Sequence, residues 1–138
     1  MIKSGQATRL HRGRRRSEFR ALRSARRVYL FYTRLGTVHL FQGRVDEAIL
    51  WLERARRDNP SFPAPHWQLA AAYGLKGDTA RAKAELAEAH ETLKRHDDDR
   101  FRTIALLRKN GDLNTPPLHD SFEQYFIAGL RKAGMPEE

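Results

Sequence analysis

The feature that most constrains this chain is its likeness to itself at an offset of 34 residues. Leu35 falls on Leu69, Gly36 on Ala70, His39 on Tyr73, Gly43 on Gly77, Ala48 on Ala82, Leu52 on Leu86 and Ala55 on Ala89. Small meets small, large apolar meets large apolar, and ring meets ring. Repeats of this length mark a supersecondary unit that cannot bury its apolar face alone and must stack on its neighbours. From Tyr29 onward apolar residues recur at helical spacing, and no segment alternates apolar and polar residues as a half-buried strand would. Gly43, Asn59-Pro60, Pro63/Pro65, Gly77, Gly111 and Pro116-Pro117 divide the body into helix-length segments. The spacing predicts helices near 29–42, 45–58, 64–76 and 79–94. The fold class is all-α, built from two helix pairs.

Close helix packing explains the pattern. Gly36/Ala70 and Ala48/Ala82 are small where the two helices of a pair must approach. Leu35, Leu52 and the rings of His39 and Tyr73 fill the space between successive helices. Gly43 and Gly77 permit the left-handed turn that joins each pair. Asp46-Glu47 and Asp78 stand at the starts of second helices, where negative charge suits the dipole. Beyond Arg95 the repeat decays. Asp97-Asp98-Asp99 predicts a helix start, followed by Phe101, Ile104 and Ala105 as a short apolar stripe with Leu107 on its flank. A last segment carries Phe122, Tyr125, Phe126 and Leu130 on one face, with Gly134 and Pro136 as stops. Two capping helices at this end would close the apolar face that a stack leaves open.

The order Tyr32, Leu35-Gly36, His39, Gly43, Ala48, Leu52, Ala55, Pro60 resembles the tetratricopeptide repeat. The second copy departs from it where His66 replaces Tyr32 and Lys94 replaces Pro60. The resemblance implies a short α-solenoid of two tetratricopeptide helix pairs over residues 28–138, with the first helix of each pair lining a groove. Leu30, Thr33, Thr37, Leu40 and Phe41, with Ala64, Trp67, Ala71 and Leu75, would line it here. Such a face is apolar and suits an amphipathic helix or an apolar peptide. The alternative is that the chain's own C-terminal helix, or a neighbouring repeat, covers it. Two helix pairs fall short of the three that stable stacking usually needs. Self-association through the open N-terminal repeat face near Tyr29–Tyr32 is therefore also expected. The stretch from Gly43 to His90, with the closing residues 125–138 (YFIAGLRKAGMPEE), resembles the C-terminal repeat region of bacterial adenylate/guanylate cyclase-like proteins. This implies a regulatory or detached C-terminal interaction module of a cytoplasmic signalling protein. It does not imply a cyclase, because no segment here has the size for a class III cyclase domain.

The formal charge of +9 lies in one place. Residues 1–27 carry ten basic side chains and one acidic, whereas residues 28–138 carry sixteen of each. Residues 1–27 are expected to be a basic, disordered extension, with Phe19, Leu22 and Ala25 giving a weak helical pattern near its end. Arg12, Arg14, Arg15 and Arg16 are the candidate nucleic-acid contacts, and a nucleic-acid-associated protein is the alternative function. Membrane adhesion, an organelle transit peptide and a solvated extension without a role are the other readings of this segment. The absence of Cys excludes a disulfide framework and a thiol nucleophile. No apolar run approaches the length that spans a bilayer. None of the six His has a partner at i+4, and there is no HExxH, P-loop or G-x-S-x-G. No catalytic residue, metal site or cofactor is expected. His39 is expected to pack at a ring position of the repeat, and the other His to lie at the surface.

Overall fold

The computed structural model describes residues 16–17 and 26–138. Among them all regular structure is helical: α1 (26–41), α2 (Val45–Asp58), α3 (Pro63–Lys76), α4 (Thr79–Arg95) and α5 (Ile104–Asn110). A 3-10 turn, Pro116–Leu118, leads into α6 (119–133). The first four helices stand within a few residues of the segments that the sequence predicts. The charge-rich extension lies outside the described residues except for Arg16, Ser17, Arg26 and Arg27. The last two already belong to α1.

The turn between α1 and α2 is repeated between α3 and α4. Gly43 and Gly77 have φ of 75° and 88°, the left-handed region that glycine enters without cost. The N–H of Arg44 bonds the carbonyl of His39 at 2.8 Å, and the N–H of Asp78 bonds that of Tyr73 at 3.0 Å. These are the same contact, 34 residues apart, and they satisfy carbonyls that a helix end leaves open. Within the first pair, Gly36 lies against the Leu52 side chain and the Ala48 carbonyl. Ala48, Leu52, Ala55, Ala82 and Ala89 are fully buried, and Leu86 nearly so.

Helix α3 is the core of the molecule. Pro63 opens it, at a position where the N–H that proline lacks would have no acceptor within the helix. Every residue from Pro65 to Gly74 is buried, because α2, α4 and α6 all pack on it. Helix α6 crosses it at a point where neither helix has a side chain. A Cβ on Gly129 would fall inside contact distance of the Ala71 backbone, and one on Gly74 inside that of the Gly129 carbonyl. The backbones therefore touch directly.

Two expectations for the C-terminal third are corrected. The helix does not start at Asp97–Asp99. Asp97 lies in a turn at φ 52°, Asp98 and Asp99 are irregular, and α5 begins at Ile104 under a cap from Thr103, whose Oγ1 accepts from the Leu106 N–H. Asp98 instead accepts from the side chain and the backbone N–H of Arg100. The start at Ile104 also rotates the apolar stripe. Leu107 is buried with Ile104, and Ala105 is exposed. The first two amides of α5 find acceptors in the C-terminal tail, Ile104 at Pro136 and Ala105 at Glu137, both at 2.9 Å. Helix α6 buries Phe122, Phe126 and Leu130 as expected, and Ile127 as well. Its middle, Phe122–Ile127, is π-helical, and the wider turn brings an additional large side chain onto the inner face.

Candidate interaction surfaces

The expected groove residues fall on one continuous face of α1 and α3. Thr33, Leu40, Trp67 and Ala71 are buried, and Leu30, Thr37, Phe41, Ala64 and Leu75 are half-buried. The polar members are satisfied within the chain. Thr33 Oγ1 donates to the Tyr29 carbonyl at 2.7 Å. Thr37 Oγ1 lies 2.9 Å from the Thr33 carbonyl and 2.6 Å from Gln68 Oε1. The second half of the face carries α6. Gly129 sits on Ala71, and the rings of Phe41 and Phe126 meet at 6.5 Å. Trp67 is turned inward, edge-on to His90 at 5.2 Å. Here the chain's own C-terminal helix lies where a peptide was the other reading, so a peptide reaches Ala71 only by displacing α6.

Beneath α3 lies a polar cluster that nothing in the sequence marks. His66, only 3% exposed, places Nδ1 2.9 Å from Glu85 Oε2 and Nε2 2.8 Å from the Pro60 carbonyl. Both neighbours are acceptors, so both contacts are made when both ring nitrogens carry hydrogen. Arg56 donates to Glu85 from the α2 side, and Tyr73 donates to Glu53. Burial first, and then the Glu53 carboxylate, push the Tyr73 phenol up to about 12. His66 is thus no surface residue, and His90 is half-buried, contrary to expectation. Burial lowers the pKa of His90, against an opposing hydrogen bond from its ring to the Arg102 backbone. His39 keeps a buried, unpartnered Nδ1. The cluster holds α2, α3 and α4 together, with His66 and Glu85 buried and Arg56 and Glu53 at its partly exposed edge.

The same two positions in the first pair look outward. Tyr32 and Trp51 lie 34 residues before His66 and Glu85, and their rings meet at 5.6 Å. Leu35 and His39 are half-buried, whereas their counterparts Leu69 and Tyr73 are 0% and 2% exposed under α2. Among the described residues Phe31, Val38 and Leu50, on the same two helices, are the most exposed large apolar side chains, at 58%, 52% and 51%. Arg54 lies over the Trp51 ring at 5.0 Å. This is an apolar face of the kind that α2 offers to α3, with no helix of the described residues on it.

Comparison with known proteins adds nothing to these observations. No family model, curated protein or solved structure matches the chain.

A cleft of about 810 Å³ opens between the end of α4, the 96–103 loop and the tail. His90, Lys94, Asp97, Asp98, Arg102 and Thr103 are among its lining residues. Two of its acids are already engaged: Asp98 with Arg100 at 2.9 Å and Asp99 with Arg102 at 3.3 Å. The Arg100 side chain holds Asp98 down to about 2. No group of three His or carboxylates among the described residues is placed to hold a metal ion. No described helix is long and apolar enough to cross a membrane. Of the candidate nucleic-acid contacts, Arg16 is exposed on a helical turn, and Arg12, Arg14 and Arg15 lie outside the described residues.

Proposed function

We propose that the chain is a short tetratricopeptide scaffold that binds another polypeptide. In this reading it serves as a regulatory module of a bacterial, cytoplasmic adenylate/guanylate cyclase-like signalling protein and catalyses nothing itself. The repeated turn at Gly43 and Gly77 supports the tetratricopeptide reading, as does the matched burial of Ala48/Ala82 and Ala55/Ala89. The closing stretch supports the cyclase-like likeness. One of its two glycines, Gly129, seats α6 on α3, and its Met135 is buried in the core.

The observation that carries the binding role is the exposed apolar face of α1 and α2. Isolated surface leucines are ordinary, but Phe31 stands beside Tyr32, whose ring meets Trp51, and Val38 and Leu50 are exposed on the same two helices. Affinity capture with the wild-type chain and with Leu50→Glu tests this reading. A partner held by wild type and lost with Leu50→Glu, while Phe41→Ala retains it, is the expected result. Equal capture by all three proteins would remove the patch from consideration. Incubation of the purified chain with ATP or GTP is expected to give no cyclic nucleotide.

The segregated charge favours one second reading. Nine Arg and one Lys within residues 1–27 can neutralise several phosphates, which would make the chain a nucleic-acid-associated protein.

A further inference from the structure

We infer that the exposed face of α1 and α2 pairs with the same face of a second copy of this chain, about a two-fold axis that crosses α2 between Leu50 and Trp51. The inference rests on the scaffold reading and names one partner for its surface.

Three observations select this occupant. The counterparts of Glu47, Leu50 and Arg54 stay exposed in the second helix pair, but those of Tyr32, Leu35, His39 and Trp51 are covered there, where His66, Leu69, Tyr73 and Glu85 lie beneath α2. A helix of the same kind as α2 therefore fits them. Secondly, among the described residues only one end of the stack is open. At the other end α6 covers α3 backbone to backbone, so a head-to-tail chain of copies has no free tail to use. An open face can then meet only another open face, which is the closed, isologous contact of a dimer.

The third observation is charge. Glu47, Leu50, Trp51 and Arg54 fall on one side of α2, at i, i+3, i+4 and i+7. Glu47 and Arg54 stand three residues to either side of the Leu50–Trp51 pair. An antiparallel crossing centred on that pair brings Glu47 of each copy to Arg54 of the other. Both are exposed, and Glu47 makes no ion pair among the described residues. The face is thus complementary to itself in charge as well as apolar at its centre.

Sedimentation equilibrium of the full-length chain, from low micromolar to a few hundred micromolar, tests the pairing. Wild type is expected to shift from monomer to dimer across this range. Glu47→Arg sets Arg against Arg twice, and Arg54→Glu sets Glu against Glu twice. Each alone should weaken the dimer by about tenfold or more. An equimolar mixture of the two variants should restore it, because every pair across the axis is then opposite in sign. Leu50→Glu, at a position already half-exposed, should give a monomer with unchanged circular dichroism. A wild-type chain that stays monomeric throughout, or a dimer indifferent to these variants, overturns the inference. A monomeric wild type that still captures a partner through Leu50 ends the self-pairing and leaves the scaffold reading standing.

Discussion

Gly129 shows how a single missing side chain decides where a helix goes. Alanine there would press its Cβ onto the backbone of Ala71, which sits in the buried Pro65–Gly74 stretch of α3 and cannot yield. The ordinary advantage of alanine over glycine within a helix is about 1 kcal/mol, and overpacking against a rigid backbone exceeds it. Gly129→Ala is expected to lower stability by roughly 2–4 kcal/mol, read as a lower urea midpoint. Gly36→Ala should cost less, because what it meets is chiefly the Leu52 side chain. Of these residues, Gly36 is legible in the sequence as a small position of the repeat. The pairing of Gly129 with Gly74 is not, since it joins parts of the chain that no repeat relates. His66 and Glu85 are hidden for a different reason. The sequence shows that they replace Tyr32 and Trp51, but two rings becoming an acid and a base reads as loss of pattern. In the structure it is a substitution of one contact for another.

At the scale of elements, the four helices of the repeat are legible because periodicity, Gly turns and a Pro at N1 agree with one another. Helix α5 is not. Three consecutive Asp imitate an N-cap, and only the competition from Arg100 and Arg102 diverts them. What fastens α5 to α6 is also invisible to local pattern. Arg108 donates to Glu123 from Nε at 2.7 Å and from the second guanidinium nitrogen at 2.8 Å. The Arg108 hydrogen bond holds the Glu123 carboxyl below its ordinary value. A depressed pKa in the folded state means stability that is present above the unfolded value and lost as pH falls through the folded one. The Glu123→Gln variant should therefore melt below wild type at neutral pH, by an amount of about 0.5–1 kcal/mol for a half-exposed pair. The two melting curves should converge in acid. A gap that persists at low pH would assign the loss to packing instead.

For the whole molecule, charge and fold are separate properties. The balanced 28–138 body carries the core, and the excess charge stands before it. If the basic segment meets nucleic acid, electrophoretic shifts of the full-length chain should weaken steeply with salt. Replacing Arg12, Arg14, Arg15 and Arg16 by Ala should flatten the logarithmic salt slope by about 3–4. Equal, negligible binding by both proteins would remove that reading. The body itself is closed by its own tail, and this has a consequence in time as well as in space. The Ile104 and Ala105 amides sit where a helix offers no acceptor of its own, and they borrow the carbonyls of Pro136 and Glu137. They stay protected from deuterium only while the tail is seated. In native-state hydrogen exchange these two sites should open together, at a lower free energy than the amides within α3, and so act as a clock for tail release.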